Sequence, residues 1–525
     1  MSFLPFEKLH YAETHFKFKL PWSLLYKAWP EIIFDMPFQI EPGVTPKIWI
    51  VVRDADQFPV FLDKARIKLE CTETQAQEVR TFDLGANAKT GLAFYPLELC
   101  ELKPGHYKIY AEVDIKRTSD WKERTVKRWT LPGLKPTPIH LQILSQKLPR
   151  APGFAVGEMH CHTNYSSDHV EFGATPNVLQ EAAKAQGLDF VNCTDHAYDF
   201  AFTKEDYTKE AESPAPRFEE LKDELKKLPK YPDMPLMIAG EEVSAGNSKG
   251  ENVHMTVLAP EEYMPGLGDC GRYWLSNKPT RKIQAHLEAV KAPCFAAHPK
   301  QPMGALERFI FRRGYWKNED LQLGKAHSIR GIQFWNGVRD EGFALGRTWW
   351  IEELGKGNYL LPIGGNDAHG DLNETTAVNV PLVSLKNNSD HVFARVRTAI
   401  RISNNIANKT ETALTESALK ESFEGDECFI TDGPALWWER KEKQIVFHAR
   451  STPDIGGAFR YIRIYGRRLH INLKPYAKEE VLMESQVLAR METDISVNFE
   501  NFAYVRAECE TATGRFAMTS AAKLR

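Results

Sequence analysis

Residues 154–162 read FAVGEMHCH, an apolar run that ends in two histidines separated by a single cysteine. The run has the length and composition of a buried strand. It is followed by TPNVLQEAAKAQG at 175–187, where the Thr-Pro pair suits the start of a helix and the final glycine its end. A second apolar run, LDFVNC at 188–193, comes directly after. This order predicts two parallel strands joined by a crossover helix.

The same alternation of apolar runs and helical stretches continues along the chain. Further strand candidates lie at 236–239, 253–259, 294–297, 329–335 and 360–363. About seven strand–helix units favour a closed barrel over an open sheet. We therefore predict an α/β fold with a β/α barrel over residues 151–430.

The two ends of the chain have a different character. Residues 47–53 (KIWIVVR) and 107–113 (YKIYAEV) are rich in β-branched and aromatic residues, and 444–450 alternates in the same way. Short strands of this kind are typical of immunoglobulin-like sandwiches. We predict a β-sandwich-like domain over residues 1–150 and a C-terminal β domain over 431–525.

The composition of the chain limits the classes of function that are compatible with it. The formal net charge of the 525 residues is −3, which does not favour a nucleic-acid partner. No run of about 18 apolar residues predicts a membrane span. The eight cysteines are scattered, without a Cys-x-x-Cys pair, and indicate reduced thiols in a cytoplasmic protein. A small-molecule substrate is the expected partner, and the sequence predicts no oligomeric state.

Potential metal ligands collect where the predicted strands start or end. They are His160, His162, Asp195, His196, Glu241, Glu242, His254, His298, Asp367 and His369. In a parallel β/α barrel the carboxyl ends of the strands converge on one face, so distant residues meet there. Neutral imidazole and carboxylate are ligands for zinc, manganese or iron. Because the candidates are too many for one tetrahedral ion, we predict two or three divalent ions bridged by carboxylates.

Each motif taken alone has a simpler explanation. A lone His-x-His is more often a hydrogen-bonded or surface pair than a metal site. An aspartate before a histidine often caps a turn, and His-Pro is a common turn sequence. The motifs favour a shared metal site because all of them occupy the same position relative to a predicted strand.

The motifs and their order resemble the PHP superfamily, named for polymerase and histidinol phosphatase domains. They are His160-x-His162 with Asp168 nearby, Thr194-Asp195-His196, Gly240-Glu241-Glu242-Val243-Ser244, His254, Ala297-His298-Pro299 and Asp367-x-His369. The resemblance covers residues 155–435 and implies a distorted seven-stranded β/α barrel with two or three metal ions. The ligands that it implies are His160, His162, Asp168, His196, Glu242, His254, His298, Asp367 and His369.

A narrower resemblance is to the carbaryl-hydrolase-like (CehA/McbA-like) branch. It rests on FWNG at 334–337 and FITDGP at 429–434. Two departures concern the ligands. Asp168 precedes a histidine where the family has glycine, in a loop one residue longer. The doublet at 241–242 leaves two candidates for the bridging carboxylate: the Gly-x-Glu pattern favours Glu242, with Glu241 as the alternative.

The ligand set predicts a metal-dependent hydrolase that uses a metal-bound hydroxide. Asp195 is expected either to orient His196 or to cap a turn. A small phosphoester is the favoured substrate, because metal ions suit phosphoryl oxygens and Lys300, two residues after His298, places a cation near the site. Arg313 is expected on a solvated helix face.

Two alternatives stay open. A carbamate, ester or amide substrate would need an apolar wall, which Phe334 or Trp335 supplies. The second alternative is an inactive barrel in a carbohydrate- or partner-binding protein. The intact ligand set argues against it, since an inactive relative is expected to lose ligands.

Overall fold

The computed structural model describes residues 29–129, 136–166, 173–201, 215–270, 277–324, 328–379, 384–388, 390–402, 414–468, 479–485, 490–498 and 500–524. Strands dominate these residues, and helices are few. None of the described helices has both the length and the apolar character needed to cross a membrane. All eight cysteines lie within the described ranges, and all are free thiols.

The N-terminal part consists of two sheets. Its strands are β1 Glu31–Asp35, β2 Gln39–Ile40, β3 Lys47–Arg53, β4 Val60–Cys71, β5 Gln77–Ala88, β6 Leu92–Glu98, β7 Gly105–Arg117, β8 Glu123–Lys127 and β9 Ile139–Ile143. Their orders are β1-β3-β6 and β2-β9-β7-β4-β5, with β8 beside β7. Side chains alternate across β3, so Ile48 and Ile50 enter the core shared by these sheets. Trp49 and Val51 face the opposite way and pack against the central part of the chain.

The central part carries the predicted ligands. Its strands are β10 Phe154–His162, β11 Phe190–Cys193, β12 Leu236–Ala239, β13 Glu241–Gly246, β14 Asn252–Val257, β15 Cys294–Ala297, β16 Gly331–Asn336, β17 Leu361–Gly365, β18 Ala368–His369, β19 Thr375–Asn379, β20 Ser384–Asn388 and β21 Arg397–Arg401. Its helices are α1 Pro176–Ala185, α2 Ala197–Phe200, α3 Ala215–Lys227, α4 Ile283–Ala289, α5 Ala305–Ile310, α6 Glu341–Gly355 and a 3₁₀ turn at Asn318–Leu321. The helix predicted within 175–187 is therefore present as α1.

The predicted strand positions are close to those observed, but the prediction of a β/α barrel is wrong. β10, β11 and β12 are parallel, yet the other side of β10 pairs antiparallel with β21. β13 to β17 form a separate five-stranded sheet in which β13, β14 and β15 are antiparallel. The short loop 247–251 leaves no room for a crossover helix, so the chain turns back as a hairpin. The fold is instead mostly β, built from several sheets.

The C-terminal part continues the sheet of the histidine strands. Its elements are α7 Glu416–Ser422, β22 Cys428–Thr431, β23 Ala435–Lys441, β24 Gln444–Arg450, a 3₁₀ turn at Pro453–Ile455, β25 Phe459–Arg468, β26 Glu480–Ser485, β27 Glu492–Asn498, β28 Phe502–Thr511, β29 Phe516–Thr519 and β30 Ala522–Lys523. One eleven-stranded sheet runs β12-β11-β10-β21-β22-β29-β28-β25-β26, with β18 and β30 at its side. A three-stranded sheet, β23-β24-β27, shares a core with β25 and β28.

A buried arginine holds the C-terminal strands to α6. Arg506 on β28 has no exposed surface, and its guanidinium donates to Glu479 at 2.7 Å and to Glu508 at 2.5 Å. The same guanidinium lies 4.2 Å from the ring centroid of Tyr465 and 5.4 Å from that of Trp350, which belongs to α6. A buried charge of this kind is tolerated because its partners are buried with it.

Replacing Arg506 with alanine is therefore expected to lower the free energy of unfolding by about 3–5 kcal/mol, since it removes the arginine partner of the Glu479 carboxylate and one of the two arginine partners of the buried Glu508. Urea unfolding followed by circular dichroism measures the change. The control is Arg463→Ala on β25, which removes a partly exposed ion pair with Glu484 at 3.1 Å. That change should cost less than about 1 kcal/mol. Equal losses in the two variants would contradict a special role for the buried network.

Candidate metal centre

Two histidines project from the end of β10 on the same side. Residues two apart on a strand share a face, and the ring centroids of His160 and His162 lie 5.3 Å apart. β18 runs parallel to the end of β10 with His369 opposite His162, and their rings stack at 4.0 Å. Cys161, between the two histidines, points into the apolar core instead.

The described residues contain three groups of side chains whose ligand atoms are close enough to hold a metal ion. They are His162, His196 and His369; His160, His162, Glu242 and Asp367; and Glu242, His254 and His298. Within each group the ligand atoms lie within 4.8 Å of one another. The groups overlap at His162 and Glu242, so they form one continuous cluster.

The Glu242 carboxylate occupies the middle of this cluster. Its oxygens lie 2.7 Å from Nδ1 of His254, 2.9 Å from Nδ1 of His196 and 3.0 Å from Nε2 of His298. Glu241, the neighbouring residue on β13, faces the other side and accepts a hydrogen bond from the Met264 amide at 2.9 Å. Of the two glutamates left open by the sequence, Glu242 is therefore the one that reaches the cluster.

Asp367 supplies the second carboxylate of the cluster. Its Oδ1 lies 3.1 Å from Nε2 of His162 and 3.4 Å from Nε2 of His160. The backbone of Asp367 is left-handed, with φ of 53°, and that of His298 has φ of 26°. Non-glycine residues adopt this region at an energetic cost, and such strain collects at functional sites.

The charges of the cluster favour the binding of a cation. Burial raises the pKa of Glu242 and Asp367, but the adjacent imidazoles hold both pKa values well below their ordinary range. Burial lowers the pKa of His160 and His254, but the carboxylates raise these values to about 9 and about 10. Two ionised carboxylates thus attract positive charge, which protons supply in the metal-free protein.

A divalent ion fits the same donors. Among the buried atoms of the described residues, Nε2 of His160, Oε2 of Glu242 and Nδ1 of His254 lie close to other ligand atoms but make no hydrogen bond of good geometry. Buried polar atoms are rarely left without a hydrogen-bond partner, and an ion-binding site is one recognised reason for such atoms. Imidazole nitrogen and carboxylate oxygen are the ligands that zinc, manganese and iron accept.

Hydrogen bonds behind the cluster fix two of its members. Nδ1 of His160 lies 2.8 Å from Oε1 of Gln333, whose amide nitrogen donates to Asn336 at 3.1 Å. Asn336 in turn donates to Asp367 at 3.2 Å. This chain of bonds leaves Nε2 of His160 directed at the cluster. Asn336 belongs to the quoted FWNG segment, whereas no sequence signal marks Gln333.

Glu158 joins the two segments that carry His160 and Asp367. The fully buried carboxylate accepts hydrogen bonds from the amides of His160 at 3.0 Å, Asn366 at 3.1 Å and Ala394 at 3.0 Å. Burial raises its pKa to about 7 in spite of these donors. The residue was not singled out in the sequence because an acid inside an apolar strand has no distinctive spacing.

Asp195 supports a loop rather than the ring of His196. Its carboxylate accepts from the Thr163 amide at 2.8 Å, the Thr163 hydroxyl at 2.8 Å and the Ser166 amide at 2.9 Å. The Ser166 hydroxyl then lies 3.0 Å from Nδ1 of His162 and accepts from the His196 amide at 3.0 Å. The carboxylate therefore caps the earlier turn at 163–166, and α2, which follows Asp195, has no side-chain cap. Asp168, the remaining predicted ligand, lies outside the described residues.

Lys300 is near the cluster in sequence, but its side chain is held elsewhere. Its ammonium donates to the Trp316 carbonyl at 2.6 Å and lies 4.2 Å from the ring centroid of Trp349. Burial lowers its pKa to about 8. A cavity of about 80 Å³ beside His254 and His298 is lined by Arg313 instead. Arg313 follows α5 in an irregular segment rather than on the expected helix face.

Comparisons with known proteins do not assign the chain to a family. No protein-family model matches it, and no curated protein matches it. One similar solved structure is the β-D-mannosidase of Dictyoglomus thermophilum, with 11% identity over 94% of this chain and 67% of that chain, and a TM-score of 0.22. Another is a cycloisomaltooligosaccharide glucanotransferase of Paenibacillus sp., with 10% identity over 94% and 71% and a TM-score of 0.16. Both TM-scores are too low to establish a shared fold.

Proposed function

We propose that this protein is a metal-dependent hydrolase whose centre is the cluster around Glu242. The observation that carries the proposal is the overlap of three ligand groups in one buried site, with His162 and Glu242 each shared by two of them. Divalent ions held together lower the pKa of a coordinated water from 15.7 to about 7 and stabilise charge on the substrate oxygen. The motif resemblance to PHP metallohydrolases points to the same reaction class.

The residues of the chain prepare this site in three ways. Glu242 and Asp367 supply negative charge, and the imidazoles around them supply nitrogen ligands. Gln333 and Asn336 hold His160 and Asp367 in place through hydrogen bonds. The Asp195 carboxylate fixes the loop whose Ser166 hydroxyl contacts His162. Pre-organisation of this kind lowers the cost of ordering ligands when an ion binds.

For the substrate we propose a small phosphoester. Bound metal ions would suit phosphoryl oxygens. Arg313, whose Nε donates to Asp269, lines the cavity beside His254 and His298, so a guanidinium stands within the proposed site. The contacts of Lys300 do not support the role that its sequence position suggested. A neutral carbamate or carboxyl ester is the second candidate, because Pro302 and Met303 give the same cavity an apolar wall.

The test of the proposed function is metal analysis combined with a substrate panel. Purified full-length protein is expected to carry about two or three divalent ions per chain and to hydrolyse small aryl phosphoesters when manganese or zinc is added. Protein that binds no ion under these conditions would contradict the proposed function. Turnover of neutral aryl esters or carbamates alone would replace the phosphoester with the second candidate.

A substitution at Lys300 tests where substrate charge is recognised. Lys300→Met keeps an aliphatic stem over Trp349 and removes the ammonium. Because the ammonium is bound to the Trp316 carbonyl, we expect the ratio of phosphoester to neutral ester turnover to stay within about twofold of wild type. Parallel kcat/KM measurements on the two substrates check this. A selective loss of phosphoester turnover would mean that Lys300 contacts the substrate.

A further inference from the structure

A carboxylate that belongs to none of the three ligand groups lies directly behind the cluster. Asp269 is 3% exposed, and its Oδ2 lies 2.8 Å from Nε2 of His254. The same oxygen accepts from Nε of Arg313 at 2.8 Å, and Oδ1 accepts from the Ser244 hydroxyl. Asp269 is thus a buried acid whose charge and lone pairs are taken up by three donors.

This contact determines which nitrogen of His254 faces the metal groups. A neutral imidazole has one N–H donor and one lone pair, and a carboxylate beside Nε2 favours the tautomer with the proton there. Nδ1 then keeps its lone pair, and it lies 2.7 Å from Oε1 of Glu242, inside the third ligand group. Without Asp269 both tautomers and other ring orientations become available to His254.

Neighbouring residues hold His254 and Asp269 in place from both sides. β13 and β14 pair with Ser244 opposite His254, which brings the Ser244 hydroxyl to Asp269. On the far side, the indole N–H of Trp316 donates to the His254 carbonyl at 3.1 Å. The positive charge of Arg313 offsets the cost of burying the Asp269 carboxylate. The backbone, the ring and the carboxylate are therefore fixed relative to one another.

We propose that Asp269 is a positioning residue that fixes the tautomer and orientation of His254 and thereby retains an ion at the Glu242–His254–His298 group. Ser244 and Arg313 hold the Asp269 carboxylate in place through hydrogen bonds. The inference rests on the proposed function in one respect, that the cluster binds metal. It adds Asp269, which none of the ligand motifs contains, and connects it to Ser244 and Arg313.

The test is metal affinity in Asp269→Ala and Asp269→Asn proteins. Titration of metal-free protein with Co²⁺ in competition with a chelator should show one class of ion bound about 10–100-fold more weakly in Asp269→Ala. The visible spectrum of bound Co²⁺ should change at the same site. Asp269→Asn keeps an oxygen that can accept from His254, so it should recover part of the affinity.

The matched control is Asp320→Ala. Asp320 is also 3% exposed, but it accepts from the backbone amides of Ser248 and Lys317 and belongs to no ligand group. This variant should bind Co²⁺ like wild type. Equal Co²⁺ affinity in wild type and Asp269→Ala, or equal weakening in Asp320→Ala, would overturn the positioning role alone. A wild-type protein that binds no Co²⁺ would overturn the proposed function together with it.

Discussion

Glu242→Gln is expected to abolish hydrolysis and release most of the bound metal while the protein stays folded. The carboxylate contributes to two of the three ligand groups, and glutamine preserves its volume without its charge. Substitution of residues that merely orient ligands costs 10–100-fold, so loss of a shared ligand should lower kcat/KM by more than about 100-fold. Steady-state kinetics, elemental analysis and circular dichroism measure the three properties.

The neighbouring residue provides the control for this experiment. Glu241 is equally buried, and burial raises its pKa well above the ordinary value. It accepts from the Met264 amide and faces away from the cluster. Glu241→Gln should retain metal and turnover. If both variants lose activity equally, Glu242 has no special place in the centre.

Removal of metal is expected to eliminate turnover and to lower the melting temperature. An ion present at 1,000 times its dissociation constant stabilises the folded state by about 4 kcal/mol. Dialysis against a chelator followed by calorimetry gives the change, and stoichiometric manganese or zinc should restore both properties. An unchanged melting temperature after complete removal of the metal would contradict a metal centre buried in the fold.

The stability of the stripped protein should also depend on pH in a defined direction. The pKa of His160 rises from 6.5 to about 9 in the folded protein, where burial opposes the shift and Asp367 and Glu242 drive it. The stabilisation from the protonated ring is complete below pH 6.5 and is lost as the pH rises through 9. The melting temperature of the metal-free protein should therefore fall across this pH interval relative to that of protein saturated with metal. If the melting temperatures of the two forms changed with pH in parallel, the raised pKa of His160 would be contradicted.

Strand geometry explains why most of the cluster could be predicted from the sequence. Alternation on β10 places His160 and His162 on one face, and the observed rings lie side by side. His369 joins them because β18 pairs in register with the end of β10. The Gly-x-Glu pattern favoured Glu242 over Glu241, and the structure places Glu242 at the centre of the ligand groups.

Side chains beyond a turn could not be predicted in the same way. Lys300 is two residues from His298, but the left-handed backbone of His298 and the following proline redirect the chain, and the ammonium reaches Trp316. Asp269 stands in the sequence GLGDCG at 266–271, which contains none of the ligand motifs. Its partners come from three different segments, and no spacing rule connects them.

The predicted fold class was wrong for a related reason. Apolar runs predicted the strands at 236–239 and 294–297, and both are present as β12 and β15. Their length and composition do not distinguish a parallel from an antiparallel neighbour. The short loop between β13 and β14 decides the first antiparallel pairing. The return of β21 beside β10, which depends on tertiary contacts, decides the second.

The eleven-stranded sheet also has a consequence for synthesis on the ribosome. β10, which carries His160 and His162, is hydrogen-bonded to β21, and β21 to β22. β22 is completed only by β29, about 360 residues after β10 begins. The nascent chain therefore exposes its histidines long before the sheet that orients them can close. The geometry of the cluster is therefore completed late, after β29 has been made, and any ion that needs this geometry would bind only then.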